Sequence, residues 1–158
     1  MIKHLILLFS LLVYSAYALA SPFAAVVASD LIMARSKQDF PEAMLTLQQS
    51  VSDHGYKVAR VQRIDIGLTG MGYKTDKYRV VFVGKTEEIQ YLVDKYPQLA
   101  SYMPPVVAIF AEEGDTVVVT AHPFVYADMI EDKEDKLIFE RWESDIYSVF
   151  NDFSTAED

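Results

Sequence analysis

The chain has 158 residues, no cysteine, and 14 Lys and Arg against 23 Asp and Glu, a formal net charge of −9. This acidic balance disfavours nucleic-acid backbones and anionic lipid as partners. The lack of cysteine excludes disulfides, thiolate metal sites, a lipid-modified cysteine and a cysteine nucleophile.

Lys3, the apolar run Leu5 to Val13 broken only by Ser10, and Ala18-Leu19-Ala20 ahead of Ser21-Pro22 stand in the order of a secretory signal peptide. Cleavage is expected at about Ala20. The run reaches about half of the roughly 20 apolar residues a membrane span requires, so no membrane association is expected after cleavage. The expected location is periplasmic or extracellular, with residues 21–158 forming a single domain.

Ala25 to Met33 is small and β-branched and predicts a first strand. Asp39-Phe40-Pro41-Glu42 then carries a capping acid, an early proline and a capping-box glutamate. Phe40, Met44, Leu47 and Val51 repeat at helical spacing, and Gly55 suits the left-handed position beyond the helix. Tyr56 to Ile64 predicts a second strand, yet Val58 and Val61 have opposite parity, so a slip or two partly covered faces is implied. Ile66 to Asp76, with Gly67, Gly70 and Gly72, predicts an irregular connection with positive φ at several sites. Tyr78 to Gly84 predicts a third strand, apolar on both parities from Val80 to Val83, as in a covered central strand.

Thr86 is positioned to cap a second helix, which carries the stripe Ile89, Leu92, Val93, Tyr96 and stops at Pro97. Pro104-Pro105 leads into Val106 to Ala111, Glu113-Gly114 turns the chain, and Thr116 to Ala121 returns as a hairpin. Pro123 to Ile130 suggests a short helix. A last helix from about Asp135 to Phe153 bears Phe139, Trp142, Ile146, Val149, Phe150 and Phe153 at intervals of three and four. The βαββαββ order with C-terminal helices predicts an α+β two-layer sandwich, its first six elements matching a split βαβ arrangement.

The helix ending in His54-Gly55-Tyr56-Lys57-Val58, the strand Val80-Val81-Phe82-Val83-Gly84, Tyr96-Pro97, Met103-Pro104-Pro105, Gly114 and His122-Pro123 together resemble the domain-of-unknown-function 302 family over about Ser29 to Asp128. The chain departs from the family pattern at Gly84-Lys85-Thr86, where a Gly-Asn-Pro-like turn is usual, and in its longer acidic C-terminal helix. The resemblance implies a compact α+β fold and assembly as a homodimer. It implies no reaction and supplies no catalytic residues.

Two histidines follow the leader. His54 lies in the last turn of a helix, where it complements the dipole, and His122 stands at a strand end before Pro123. Neither belongs to a Gly-x-Ser-x-Gly elbow, and two separated histidines do not make a zinc site. The acids Glu131 to Asp135 read as a solvated turn and lack the spacing of a calcium loop. No metal or cofactor is therefore expected. The loop Gly67 to Gly72 matches no phosphate-binding pattern, but with Tyr73 and Lys74 it could lid a pocket.

Tyr73, Lys74 and His122 are the ligand-binding candidates. Trp142, Phe150 and Phe153 are packing residues by spacing, and partner-interface candidates by residue type. The function expected is non-enzymatic binding of a small molecule or protein. The alternative is a hydrolase or lyase using carboxylates and tyrosine, with Asp65, Asp76 or Glu112 near Tyr73.

Overall fold

A computed structural model of the protein describes residues 30–156. The leader, and the Ala25–Ser29 part of the expected first strand, lie outside those residues. The described part begins with β1 (Leu31–Ser36), α1 (Phe40–Asp53), β2 (Lys57–Arg63) and α2 (Ile64–Gly70). It continues with β3 (Tyr78–Gly84), α3 (Thr86–Lys95), a 3₁₀ turn (Pro97–Ser101), β4 (Val106–Glu112) and β5 (Asp115–Ala121), and ends with α4 (Phe124–Ala127) and α5 (Lys133–Thr155).

The five strands form one sheet in the order β1-β5-β4-β3-β2, every pairing antiparallel. β1 and β2 therefore run in the same direction at opposite edges, with three strands between them. The helices α1 and α5 pack on one face, giving a two-layer α+β fold. Ile32, Val81, Val83, Val107, Ile109 and Val118 of the sheet join Leu47 and Val51 of α1 and Phe139, Trp142, Val149, Phe150 and Phe153 of α5 in one core. Each such side chain contributes about 1.5–3 kcal/mol on burial.

Local chemistry accounts for most boundaries. α1 starts at Asp39, whose side chain makes no capping bond, so the early Pro41 sets the helix start and the expected capping box is absent. It ends in a Schellman arrangement, with Tyr56 N–H donating to Val51 O, Gly55 N–H to Ser52 O, and Gly55 at φ 78°. Thr86 is the first residue of α3 rather than its cap, which is Lys85. α5 begins two residues earlier than its apolar stripe suggests, because Asp132 accepts from the backbone N–H groups of Glu134 and Asp135.

The parity conflict in β2 is resolved by a register shift between Val58 and Arg60. The extra residue lets Val58 stand opposite Val83 and Val61 opposite Val81, both on the core face. The segment after β2 is more regular than its glycines suggest. Ile64–Gly70 is helical, closed by a second Schellman arrangement through Tyr73 N–H to Leu68 O and Gly72 N–H to Thr69 O, and Gly72 is its only positive-φ residue. Gly114, at φ 91°, turns the β4–β5 hairpin together with Glu113.

Candidate functional site

The charged side chains of α5 meet partners from α1, α3 and the strand ends, forming a polar seam around the apolar core. At its N-terminal end, Asp135 accepts from Tyr96 OH at 2.5 Å, Lys95 Nζ at 2.7 Å and Tyr91 OH at 3.0 Å. Asp135 is only 6% exposed. Lys95 foremost, then Tyr96, holds this carboxyl below the usual carboxylate range. The acidic stretch Glu131 to Asp135 is thus not a solvated turn throughout: Asp132 caps a helix and Asp135 is buried in a hydrogen-bonded cluster.

About two turns further along, Trp142 Nε1 donates to Glu88 Oε2 at 2.6 Å, and Arg141 pairs with Glu88 Oε1 at 2.5 Å. Asp145 accepts from Tyr56 OH and Lys85 Nζ, each at 2.9 Å, with the Lys85 ammonium 4.5 Å from the Tyr56 ring centroid. Burial foremost, then Asp145, pushes the Tyr56 phenol well above its ordinary pKa.

At the far end, Ser50, His54 and Asp152 come together. Ser50 Oγ donates to Asp152 Oδ2 at 2.8 Å, and His54 Nε2 lies 2.9 Å from the same oxygen. The carboxylate, not the imidazole, occupies the middle position. His54 is therefore not placed to take a proton from Ser50, and the arrangement lacks the nucleophile–base contact of a catalytic triad. Ser50 is itself buried. Periodicity could not reveal this trio, since its members come from two helices about a hundred residues apart.

The predicted ligand candidates are not brought together. His122 stands at the end of β5, where Nε2 lies 3.3 Å from Glu143 and Nδ1 accepts from the Phe124 N–H at 3.3 Å, with the ring packed on Phe124. Tyr73 and Lys74 follow α2, near the start of β3 and hence at the other end of the sheet. Tyr73 is 61% exposed, and the nearby groove of about 340 Å³ is lined by Asp65, Ile66, Thr69, Thr75, Asp76 and Lys77, not by Tyr73 or Lys74. In that groove Asp65 is held by Arg79 at 2.5 Å. Glu112 is paired with Arg35 at the β4–β5 hairpin.

Trp142, Phe150 and Phe153 are all buried in the domain's own core. Their side chains face the sheet, so the surface they could offer a partner is already covered. An open groove of about 710 Å³ between α1 and the end of α5 includes Leu45, Gln49, Asp53 and Asp152. A cavity of about 30 Å³ beneath Tyr56, Trp142 and Phe150 is almost wholly apolar and has room for about one water molecule.

The second face of the sheet is different. Strand register places Met33, Val119, Ala108, Val80 and Gln62 in one continuous row across all five strands. Beside it run Arg35, Val117, Phe110 and Tyr78, with the Tyr78 and Phe110 rings edge-to-face at 6.2 Å. On the other side lie Val106, Phe82 and Arg60. None of these residues joins the core cluster, though Val117 is itself buried on this face at 2% exposed. Met33 is 60% exposed and Leu31 42% exposed. The double apolar parity of β3 therefore does not mark a strand covered on both sides: Val81 and Val83 face the core, while Val80 and Phe82 face outward. The charges bordering one corner are neutralised, because Arg35 pairs with Glu112 and Asp115 and Lys37 pairs with Asp115.

Residues 32–152 match the family described as domain of unknown function DUF302, and the chain belongs to that family. Similar solved structures include one titled as an uncharacterized conserved protein DUF302 from Bacillus stearothermophilus. It superposes with a TM-score of 0.69 at 15% identity, covering 77% of this chain and 96% of that one. At that identity the likeness concerns the fold. A comparison with curated proteins finds no match.

Proposed function

We propose that this protein is an exported, non-enzymatic binding module for a small molecule or another protein, and that the open face of its sheet is the binding surface. The observation that carries the reading is the row Met33, Val119, Ala108, Val80 and Gln62, four apolar side chains and one amide outside the core on a single sheet face. Contiguous apolar surface of this kind is characteristic of interaction sites. The titratable groups around α5 support the same reading, since Asp135 and Glu88 spend both carboxylate oxygens, and Asp145 and Asp152 their Oδ2, on bonds that tie α5 to the rest of the domain.

Export is supported by the arrangement of Lys3, Leu5 to Val13 and Ala18-Leu19-Ala20. Among the described residues, no helix is long and apolar enough to cross a membrane. The competing hydrolase or lyase reading draws on Asp65 and Asp76, which line one groove. Against it, Arg79 holds Asp65 ionised, which removes that carboxyl as a proton donor near neutral pH.

Fractionation of cells expressing the full chain tests export: a product shortened by about 20 residues in the envelope or medium is expected. A thermal-shift screen against envelope metabolites tests small-molecule binding, because a ligand specific for the folded state raises the Tm. Turnover of an ester or glycoside panel that is lost in Asp65→Asn would replace the binding reading with the enzymatic one.

A further inference from the structure

We infer that the free edge of β2 takes an extended, acidic segment of another protein as a sixth strand of the sheet. The partner so assigned presupposes the binding role proposed above, and the measurements below separate the two.

The two edges of the sheet, β1 and β2, are not alike. α5 packs along β1, and Arg35 of that strand is engaged by Glu112 and Asp115. On β2 only Val58 is half-buried against the core; every other residue is exposed, Val61 to 38%. Among the described residues, no backbone group of β2 bonds to a strand or loop other than β3. In an antiparallel pair every second residue turns its N–H and C=O away from the partner. The outer side of β2 is therefore a row of unused donors and acceptors, which an extended peptide completes through its main chain. The register shift between Val58 and Arg60 bends the start of this edge. Arg60, Val61, Gln62 and Arg63 then pair in unbroken register with Phe82, Val81, Val80 and Arg79. That regular stretch is where a further strand adds.

Charge selects the partner. β2 carries Lys57, Arg60 and Arg63 and no acid, in a chain where acids outnumber bases 23 to 14. Among the described residues none of the three makes an ion pair, and Asp65, just beyond the strand, is taken by Arg79. Alternation sets Arg60 and Gln62 on the open face and Val61 and Arg63 on the helix face. Side chains directly across a strand pair stand about 5 Å apart. The matching segment therefore reads acid, aliphatic, hydroxyl, acid, opposite Arg60, Val61, Gln62 and Arg63. Cations and a bulge on an edge strand ordinarily block pairing. Here they exclude neutral strands and a second β2, whose own arginines would meet these, while an acidic strand turns the same charges into attraction. A nucleic acid or sulfated polymer fits less well, because outside β2 the net charge of −9 repels a polyanion.

Fluorescence anisotropy of the labelled peptide Thr-Val-Glu-Val-Thr-Glu-Val with the full chain is expected to show saturable binding. The peptide with Lys in place of both Glu is expected to bind about tenfold more weakly. Arg60→Glu combined with Arg63→Glu, both at exposed positions, is expected to reverse that preference, so that the lysine peptide gains what the acidic one loses. N-methylation of the peptide separates a main-chain ladder from plain charge attraction and needs no variant of the protein. Methyl groups on one set of alternate residues are expected to abolish binding, and on the other set to leave it unchanged. Hydrogen exchange should gain protection within Arg60–Arg63 when the acidic peptide is added. Failure of the acidic peptide to bind overturns the inference. So does binding that both N-methylated sets retain, or that heparin matches at equal charge, since charge alone then holds the ligand. Thermal-shift hits from small metabolites with no peptide bound leave the binding role standing and remove only the strand-edge partner.

Discussion

Tyr96 donates its hydroxyl to Asp135 at 2.5 Å, joining the end of α3 to the first turn of α5. Lys95 and Tyr91 converge on the same carboxylate. Three donors from the six residues Tyr91 to Tyr96 thus hold one buried acid, and α5 is docked at its start as well as along its apolar stripe.

Replacing Asp135 tests that docking. Asp135→Ala leaves two tyrosine hydroxyls and an ammonium without their acceptor and is expected to lower the Tm by several degrees. Asp135→Asn keeps the shape and loses the charge, so a smaller fall is expected. Hydrogen exchange read residue by residue should show protection lost first at the N-terminal turn of α5, and a uniform loss across the sheet would speak against local docking.

The pH dependence follows from the same groups. Asp135, Asp152, Asp115 and Asp65 are held below the ordinary carboxylate range, chiefly by Lys95, His54, Lys37 and Arg79 respectively. A depressed carboxyl contributes stability that is complete above its unfolded pKa and lost as the pH falls through the folded one. Melting curves are therefore expected to be level from about pH 7 to 5 and to fall below about pH 4, less steeply in Asp135→Asn. Tyr56 has the opposite sign. Its raised phenol contributes stability that is complete below about pH 10 and declines as the pH rises further. Tyr56→Phe should make that alkaline decline shallower.

Gly84 at the end of β3 is required by its neighbour. A Cβ there would stand 2.1 Å from Ile89 Cδ1 and 3.3 Å from Cγ1. Rotation of Ile89 can move its Cδ1 away, but the Cγ1 approach stays tight. Gly84→Ala is expected to destabilise by about 1–2 kcal/mol through overpacking. Ile89→Val, which removes Cδ1, should recover part of that loss in the double variant. A double-mutant cycle in urea measures the coupling, and additive effects would rule out this clash as the cause.

Trp142, the only tryptophan, is 1% exposed and donates to Glu88. Its fluorescence should be blue-shifted and poorly quenched in the folded protein, and should move to the red in one step with loss of circular dichroism. Trp142→Ala is expected to cost about 3–5 kcal/mol. Trp142→Phe retains the ring packing but strands Glu88 without its indole donor, so a smaller loss is expected from denaturant titration.

Much of the architecture was legible in the chain because its signals are local. The spacing of Phe139, Trp142, Ile146, Val149, Phe150 and Phe153 marks one face of α5, and Glu113-Gly114 marks the β4–β5 turn. The helix at Ile64–Gly70 was not legible, since glycines at 67 and 70 argue against one and only the closing geometry at Gly72 reveals it. The site was less legible still. Tyr73, Lys74 and His122 are plausible by residue type, but they sit at opposite ends of the sheet.

Composition and periodicity by themselves determined the α+β class, the order of most elements, the acidic charge and the absence of thiol chemistry. Each depends on residues a few positions apart or on simple counts. Only the tertiary structure decided that Asp152 stands between Ser50 and His54, that Asp145 joins Tyr56 to Lys85, and that β3 turns Val80 and Phe82 away from the core. Those relationships depend on strand order and register between segments far apart in the chain. Alternation places a side chain on one of two faces, but what covers that face is settled by where the helices pack.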